Sequence, residues 1–485
     1  MNERAERIAV IGGGISGLSA AYYLKSKFQK AGKQLELTII EKSNELGGKI
    51  STLRQDGYII ERGPDSFIGR KVAALHLAQS LGLESELTGT NPAARTNYIL
   101  HKGKLREMPA GLALGIPTKV GPFIKTDLIS FKGKARAAMD LIIPKRKSKE
   151  DEALGDFIER RIGKEVLDHL VEPLLAGIYA GDTRMLSLQS TFPQFHEIER
   201  KYRSLILGMM AGRTAPSAPK AAPGRSTQAR DLPEIAKRSM FLTFKNGLST
   251  LIEKLESELS SANILKENGL ESLSRLGNIY QLKLDTGEQF VVDGVILAIP
   301  AFACAKLLKD FNESGTFESV PYVSVANVAL GYKASEIPAK LTGSGFVIPR
   351  SEGRLMTACT WTSSKWLHTA PEDKILLRAY IGRAGAEADT NMDDHELVGK
   401  VRGELQEIMG IRAQPELSMV SHMSTSMPQY RVGHQERITN LRAAMDKHYP
   451  GVLICGSGYD GVGIPDCITQ GERAAEALAD RLLAP

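Results

Sequence analysis

The residues whose types and spacing best suit them to chemistry lie at the start of the chain. Gly12-Gly13-Gly14-Ile15-Ser16-Gly17 follows the apolar run Arg7–Ile11 and opens a helical pattern from Ser16 to about Phe28. In that setting Gly12 permits a tight turn, Gly14 lets backbone approach a pyrophosphate, and Gly17 lets the helix pack close to the strand. The backbone through Gly13, Ile15 and Ser16 then offers N–H groups and a partial positive charge to phosphate. Glu41 closes a second apolar strand, Leu35–Ile40, 24 residues after Gly17, with Lys42 beside it. A carboxylate there can accept hydrogen bonds from ribose hydroxyls, and it argues against a ribose 2′-phosphate. One such motif is a weak signal, but it implies a dinucleotide.

Two further segments extend the reading. Leu46-Gly47-Gly48-Lys49 and Ile60-Glu61-Arg62-Gly63-Pro64, followed by Asp65 and Ser66, bring glycine backbone and a cation toward a second length of cofactor. Far away, Cys455-Gly-Ser-Gly-Tyr-Asp-Gly-Val-Gly-Ile-Pro465 repeats the strand, glycine turn and helix start. These two ends resemble the flavin amine oxidase and protoporphyrinogen oxidase superfamily. The resemblance implies an extended FAD, with backbone at Val462, Gly463 and Ile464 facing the flavin. A helix start there would stabilise negative charge on the reduced ring.

Within that superfamily the chain is similar to the haem-pathway porphyrinogen oxidases, above all the soluble ones of Gram-positive bacteria. The match is carried by Glu61-Arg-Gly-Pro-Asp-Ser-Phe67, Gly133-Lys-Ala-Arg-Ala-Ala-Met139, Glu172-Pro-Leu-Leu-Ala-Gly-Ile-Tyr-Ala-Gly-Asp182 and Leu186-Ser-Leu-Gln-Ser-Thr-Phe-Pro193. Ser324-Val-Ala-Asn-Val-Ala-Leu330, Leu377-Arg-Ala-Tyr380, Met427-Pro-Gln-Tyr430 and Gly461-Val-Gly-Ile-Pro-Asp466 extend it toward the C-terminus. The resemblance implies oxidation of coproporphyrinogen III, and also protoporphyrinogen IX, through FAD to O2 with release of H2O2. Protoporphyrinogen IX oxidation as the main activity, or another superfamily activity such as amine oxidation or desaturation, stands as an alternative. Because the product gains aromaticity, no catalytic acid or base is named; holding the macrocycle against the flavin is the main task.

Four carboxylates on such a substrate need partners. Lys71 matches a position where the family places a basic residue on the substrate side. Arg378 and Tyr380 share a strand face by period-two alternation, so Arg378 is expected to pair a propionate and Tyr380 to approach the macrocycle. Ile178 is expected as a wall of the slot. Two positions depart from the family pattern: Met423 stands where Trp is frequent on the flavin side, and Leu270 where Val is usual near the adenine.

The elements that must position these residues imply an α/β fold in three parts. A discontinuous Rossmann-like FAD domain is expected from 1–75, 234–304 and 426–485. A mainly helical domain is expected over 76–210, and a substrate domain with a mixed or antiparallel sheet over 305–425. Residues 211–233, rich in Pro, Ala and Ser, read as a flexible connection.

Composition bounds the rest. The chain has 485 residues, 42% of them hydrophobic and 24% charged, with a net charge of +6, as expected for a globular protein. Residues 101–150 hold 12 Lys/Arg against 4 Asp/Glu, so this segment alone carries +8. Steering of an anionic substrate by a soluble enzyme is the favoured explanation, with contact with an acidic membrane surface or transient contact with the next haem-pathway enzyme as alternatives; nucleic acid is not expected. No apolar run suits a spanning helix or signal peptide, and four cysteines without a C-x-x-C pair suggest a reducing cytoplasm. The nine histidines show no metal-binding spacing, so no metal is expected.

Overall fold

Ile8 and Val10 alternate with Ala9 and Ile11 along the strand Glu6–Ile11, and all four are buried. A strand apolar on both faces requires cover on both, as in a parallel α/β sheet. The structure, a computed structural model, describes residues 4–212, 232–338 and 340–484. It contains that sheet, with five parallel strands in the order Asn263–Leu265, Leu35–Ile40, Glu6–Ile11, Gly294–Leu297, Val452–Ile454. Ile8, Val10, Ile39 and Ile296 face the helices Ile15–Lys30, Ser249–Glu258 and Ile464–Leu482. Ala9, Ile11, Val295 and Leu297 face the helices Ala301–Leu307 and His434–His448, together with an antiparallel sheet whose strands are Leu270–Leu276, Ile279–Leu284 and Gln289–Val292. The C-terminal helix begins at Ile464, three residues before the expected Cys467. Pro465 fits its first turn because the N–H it lacks would have no helical partner there.

A second sheet of seven strands runs Leu417–Pro428, Tyr322–Lys333, Lys374–Ile381, Met356–Trp361, Gly343–Val347, Thr96–His101, Lys104–Glu107. Neighbours are antiparallel except Gly343–Val347 with Thr96–His101, which makes the sheet mixed. This alters the reading of 76–210. Its early part supplies two strands to the seven-stranded sheet, and the helices occupy the stretch from Val120 to Gly212. The other end of the expected substrate domain also shifts. Leu308, Phe311, Phe317 and Val320 pack into the core beneath the parallel sheet, so residues after 304 continue that core.

The helical region has its own polar centre. Arg161, fully buried, pairs with Asp140 at 2.5 Å and donates to the carbonyls of Ile143, Pro144 and Arg203. A buried guanidinium needs this degree of pairing to offset its desolvation. Most of the expected connection, residues 213–231, lies outside the described residues.

Candidate cofactor and substrate site

The N-terminal turn has the geometry a phosphate cradle requires. Gly12 sits at φ +102°, and a Cβ there would meet the Ala298 carbonyl oxygen at 2.6 Å. At Gly17 a Cβ would lie 1.9 Å from the Gly12 oxygen, so the helix can approach the strand only without a side chain. Gly14 differs: the nearest atom to its Cβ position is the Gly47 oxygen, at 4.0 Å. No described residue fills the space beside Gly14, so its glycine character leaves room for a ligand. The helix Ile15–Lys30 begins with no side-chain cap and no acidic residue in its first turn. Ile15 and Ser16, both buried, form that turn. The uncapped start and open cradle fit a pyrophosphate.

Glu41 is already engaged with the turn. One carboxylate oxygen accepts from Gly13 N–H at 2.7 Å, and the other from the N–H and hydroxyl of Ser43 at 2.8 and 2.7 Å. A carboxylate has about four acceptor sites, so capacity remains for ribose hydroxyls. Lys42 is exposed next to it, and Leu270 begins a strand beside Asn268, whose N–H donates to the Glu41 carbonyl. Gly47 N–H donates to Gly13 O at 2.8 Å, which joins the second glycine pair to the first. Gly48 follows at φ +59°, with its Cβ position 3.4 Å from the Gly14 Cα.

Lys49 projects from this junction and donates to the Ser426 carbonyl and, at 3.2 Å, to the Ser457 hydroxyl. Burial pushes its ammonium below its ordinary pKa, and no described carboxylate forms an ion pair with it. Yet the side chain retains open surface. A cation crowded by protein yet still accessible, with no described carboxylate partner, suits an anionic or electron-rich ligand.

The 62–66 loop closes one side. Gly63 packs so tightly on Lys49 that a Cβ would lie 1.8 Å from the Lys49 oxygen. Pro64, Asp65 and Ser66 are half-buried, and the Ser66 hydroxyl donates to Asp65 at 2.7 Å. Burial alone would raise the Asp65 carboxyl, but Lys365 at 2.8 Å and nearby Arg378 hold it well below the usual range. Trp366 Nε1 donates to the same oxygen at 3.3 Å.

Arg378 overturns one expectation. It is only 2% exposed, and its guanidinium donates to the Gly63 carbonyl and, at 3.3 Å, to Asn327 Oδ1. It therefore binds the 62–66 loop, and its burial leaves little surface that a propionate could reach. The alternation argument correctly put Arg378 and Tyr380 on one face, since the guanidinium lies 5.1 Å from the Tyr380 ring centre. Tyr380 is half-exposed, with its hydroxyl 3.4 Å from that of Thr360.

The C-terminal turn forms the opposite side. Gly463 precedes the helix Ile464–Leu482, which also starts without a side-chain cap, and Val462 is half-buried beside it. Tyr430 accepts from Gly461 N–H at 3.0 Å and donates to Ser457 O at 2.5 Å, fixing the turn. Lys71 pairs with Asp466 at 2.6 Å, so its charge is shared with the first turn of this helix. Tyr179, whose phenol burial and Asp466 push up, carries the helix Glu172–Tyr179 to the same place; Gln429 binds its carbonyl at 2.8 Å. Ile178, one residue earlier, is 40% exposed. Met423 is half-buried on Leu417–Pro428, opposite Val325.

Asn327, Lys365, Trp366, Tyr179 and Tyr430 escaped residue-level expectation. Tyr179, Asn327 and Tyr430 lie within quoted motifs, but their partners are remote in sequence. Among the described residues no group of three or more His, Cys, Asp or Glu could hold a metal, and all four cysteines are free and buried.

A parallel sheet with two uncapped helix starts and an acid at the second strand end is the arrangement of a dinucleotide-binding oxidoreductase. The chain belongs to the flavin containing amine oxidoreductase family, whose profile matches residues 15–479, and FAD is its cofactor. It is 45% identical to the coproporphyrinogen III oxidase of Bacillus subtilis (strain 168), covering 98% of both chains. Identity to the Staphylococcus aureus (strain NCTC 8325 / PS 47) coproporphyrinogen III oxidase is 39%, over 98% of this chain and 99% of the other. A crystal structure from Exiguobacterium sp. 255-15 superposes with a TM-score of 0.86 at 34% identity, covering 99% of each chain.

Proposed function

We propose that this enzyme oxidises coproporphyrinogen III to coproporphyrin III, and protoporphyrinogen IX as a secondary substrate. The observation that carries the proposal is the end-to-end 45% identity to a coproporphyrinogen III oxidase. Bound FAD would accept a hydride equivalent in each of three two-electron steps and return the electrons to O2. One porphyrinogen and three O2 give one porphyrin and three H2O2, which balances six hydrogens and six electrons.

The chain's own residues bind and orient. The Gly12–Gly17 turn holds the phosphates, Glu41 the ribose, and the 62–66 loop and 462–464 turn embrace the flavin end. Lys49 places positive charge in the enclosed space. Lys71 and Ile178 border the porphyrinogen slot, while Tyr380 approaches the macrocycle from the sheet. Three parts of the chain thus serve one cleft: the parallel-sheet domain, the seven-stranded sheet and the helices from Val120 to Gly212. Steady-state kinetics with both porphyrinogens test this directly. A higher kcat/KM for coproporphyrinogen III supports the proposal, and a strong preference for protoporphyrinogen IX refutes it.

The basic segment has a second role in this proposal. Phe131 is 86% exposed and Ile142 70%, with Val120 and Ile124 also exposed among its lysines. A dissolved tetra-anion requires the charge but not the apolar side chains. Both suit peripheral contact of a cytoplasmic enzyme with an anionic lipid surface. No helix among the described residues is long and apolar enough to cross a membrane. Salt-sensitive flotation with anionic but not neutral vesicles, lost in the Phe131→Ser/Ile142→Ser double variant, is the expected result. Equal flotation of the variant refutes the contact.

A further inference from the structure

Two buried polar side chains of the seven-stranded sheet reach out of it to the same short loop. Asn327 is fully buried on Tyr322–Lys333, and Arg378 lies on the adjacent strand Lys374–Ile381. Asn327 Nδ2 donates to the Arg62 carbonyl at 2.7 Å, and the Arg378 guanidinium to the next carbonyl, Gly63. Nε of Arg378 also holds Asn327 Oδ1 at 3.3 Å, which sets the amide so that its NH2 faces the loop. Two residues along the loop, Lys365 and Trp366 hold Asp65 at 2.8 and 3.3 Å.

These bonds have a consequence on the far side of the loop. In a planar trans peptide the N–H points opposite to the C=O. With the Arg62 carbonyl turned into the sheet, the Gly63 N–H points away from it, and it finds no acceptor among the described residues. The following peptide ends at Pro64 and has no N–H, so the Arg378 bond fixes the conformation of Gly63 itself. A buried guanidinium is expensive compared with an apolar residue of similar volume. A sheet interior would not need one for packing.

We propose that Arg378, assisted by Asn327, is a positioning residue for the flavin: from the substrate sheet it holds the 62–66 loop with the Gly63 N–H presented to the cofactor. This rests on the reading that the 62–66 loop lies against FAD. The sheet that borders the porphyrinogen slot thereby also sets the flavin's surroundings, and Arg378 does not bind a substrate carboxylate.

The test uses Arg378→Met, Arg378→Lys and Asn327→Ala, each purified as full-length protein with FAD. FAD Kd, visible flavin spectrum, midpoint potential, and kcat and KM for coproporphyrinogen III are measured. Arg378→Met should weaken FAD binding roughly tenfold or more, shift spectrum and potential, and lower kcat with KM little changed. Arg378→Lys should restore part of each, and Asn327→Ala should show the same changes at smaller amplitude. Should Arg378→Met not fold, Asn327→Ala decides. Normal flavin affinity, spectrum and potential with a raised KM would overturn the proposal and return Arg378 to substrate binding. Ser66→Trp separates the underlying reading: bulk in that half-buried position should displace flavin. Full FAD content with an unchanged spectrum there would refute the loop's placement itself, whatever the Arg378 variants do.

Discussion

In the proposed function the glycine turn at Gly12–Gly17 and the seven-stranded sheet serve one site by opposite means. The turn works through backbone that must stay bare: at Gly17 a single added carbon would lie 1.9 Å from an oxygen. The sheet works through buried side chains, Asn327 and Arg378, that reach across to carbonyls of another domain. In the first region removing atoms makes the site; in the second, polar atoms held at some cost in desolvation make it. Substitutions should therefore fail differently in the two regions.

The largest effect is expected in the turn. Gly17→Val should abolish folding or leave protein without flavin, seen as loss of the cooperative thermal transition and of visible absorbance. Gly14→Ala sharpens the contrast because its added carbon meets only an oxygen at 4.0 Å. Its apoprotein should unfold at an unchanged temperature while FAD binding is lost. In the sheet, Arg378→Met should cost stability as well as flavin, by about 3–5 kcal/mol in urea unfolding, since Gly63 O and Asn327 Oδ1 each lose a buried donor.

Glu61, beside the same loop, gives a pH-dependent comparison. Burial pushes its carboxyl from 4.5 up to about 7, against the opposing bonds from Leu248 N–H and Thr52. The unfolded chain releases this proton near 4.5 and the folded chain near 7. Its contribution is therefore fully present below pH 4.5 and declines as pH rises to 7, by about 3 kcal/mol. Glu61→Gln keeps the bond from Leu248 N–H, reverses the one with Thr52 so that the amide donates to Oγ1, and should remove that slope, so its advantage over the parent grows from pH 5 to 7 in denaturant titrations. The smallest stability effect belongs to Lys71→Met. Its ion pair with Asp466 is partly exposed, so the loss should stay below about 1 kcal/mol. KM for coproporphyrinogen III should nevertheless rise.

The same contrast explains what could be read in advance. Gly12, Gly14, Gly17 and Glu41 were legible because a tight turn, a close approach and a strand end are local demands on residue type. Alternation along Lys374–Ile381 likewise put Arg378 beside Tyr380. It could not say what that face meets, because Gly63 lies 315 residues away and nothing in the spacing links them. Thr96–His101 was lost in a helical reading for a similar reason: its parallel partner is Gly343–Val347, and a short strand paired over such a distance has little pattern of its own. Motif resemblance found the segment around Asn327 without assigning the residue its work.

The central claim is that bound flavin takes electrons directly from a porphyrinogen. Anaerobic rapid mixing of the FAD-loaded enzyme with coproporphyrinogen III measures that step without oxygen. The account predicts bleaching of the oxidised flavin band, stoichiometric with enzyme, and its return with porphyrin fluorescence and H2O2 when air is admitted. A flavin that stays oxidised in the presence of bound porphyrinogen would contradict it.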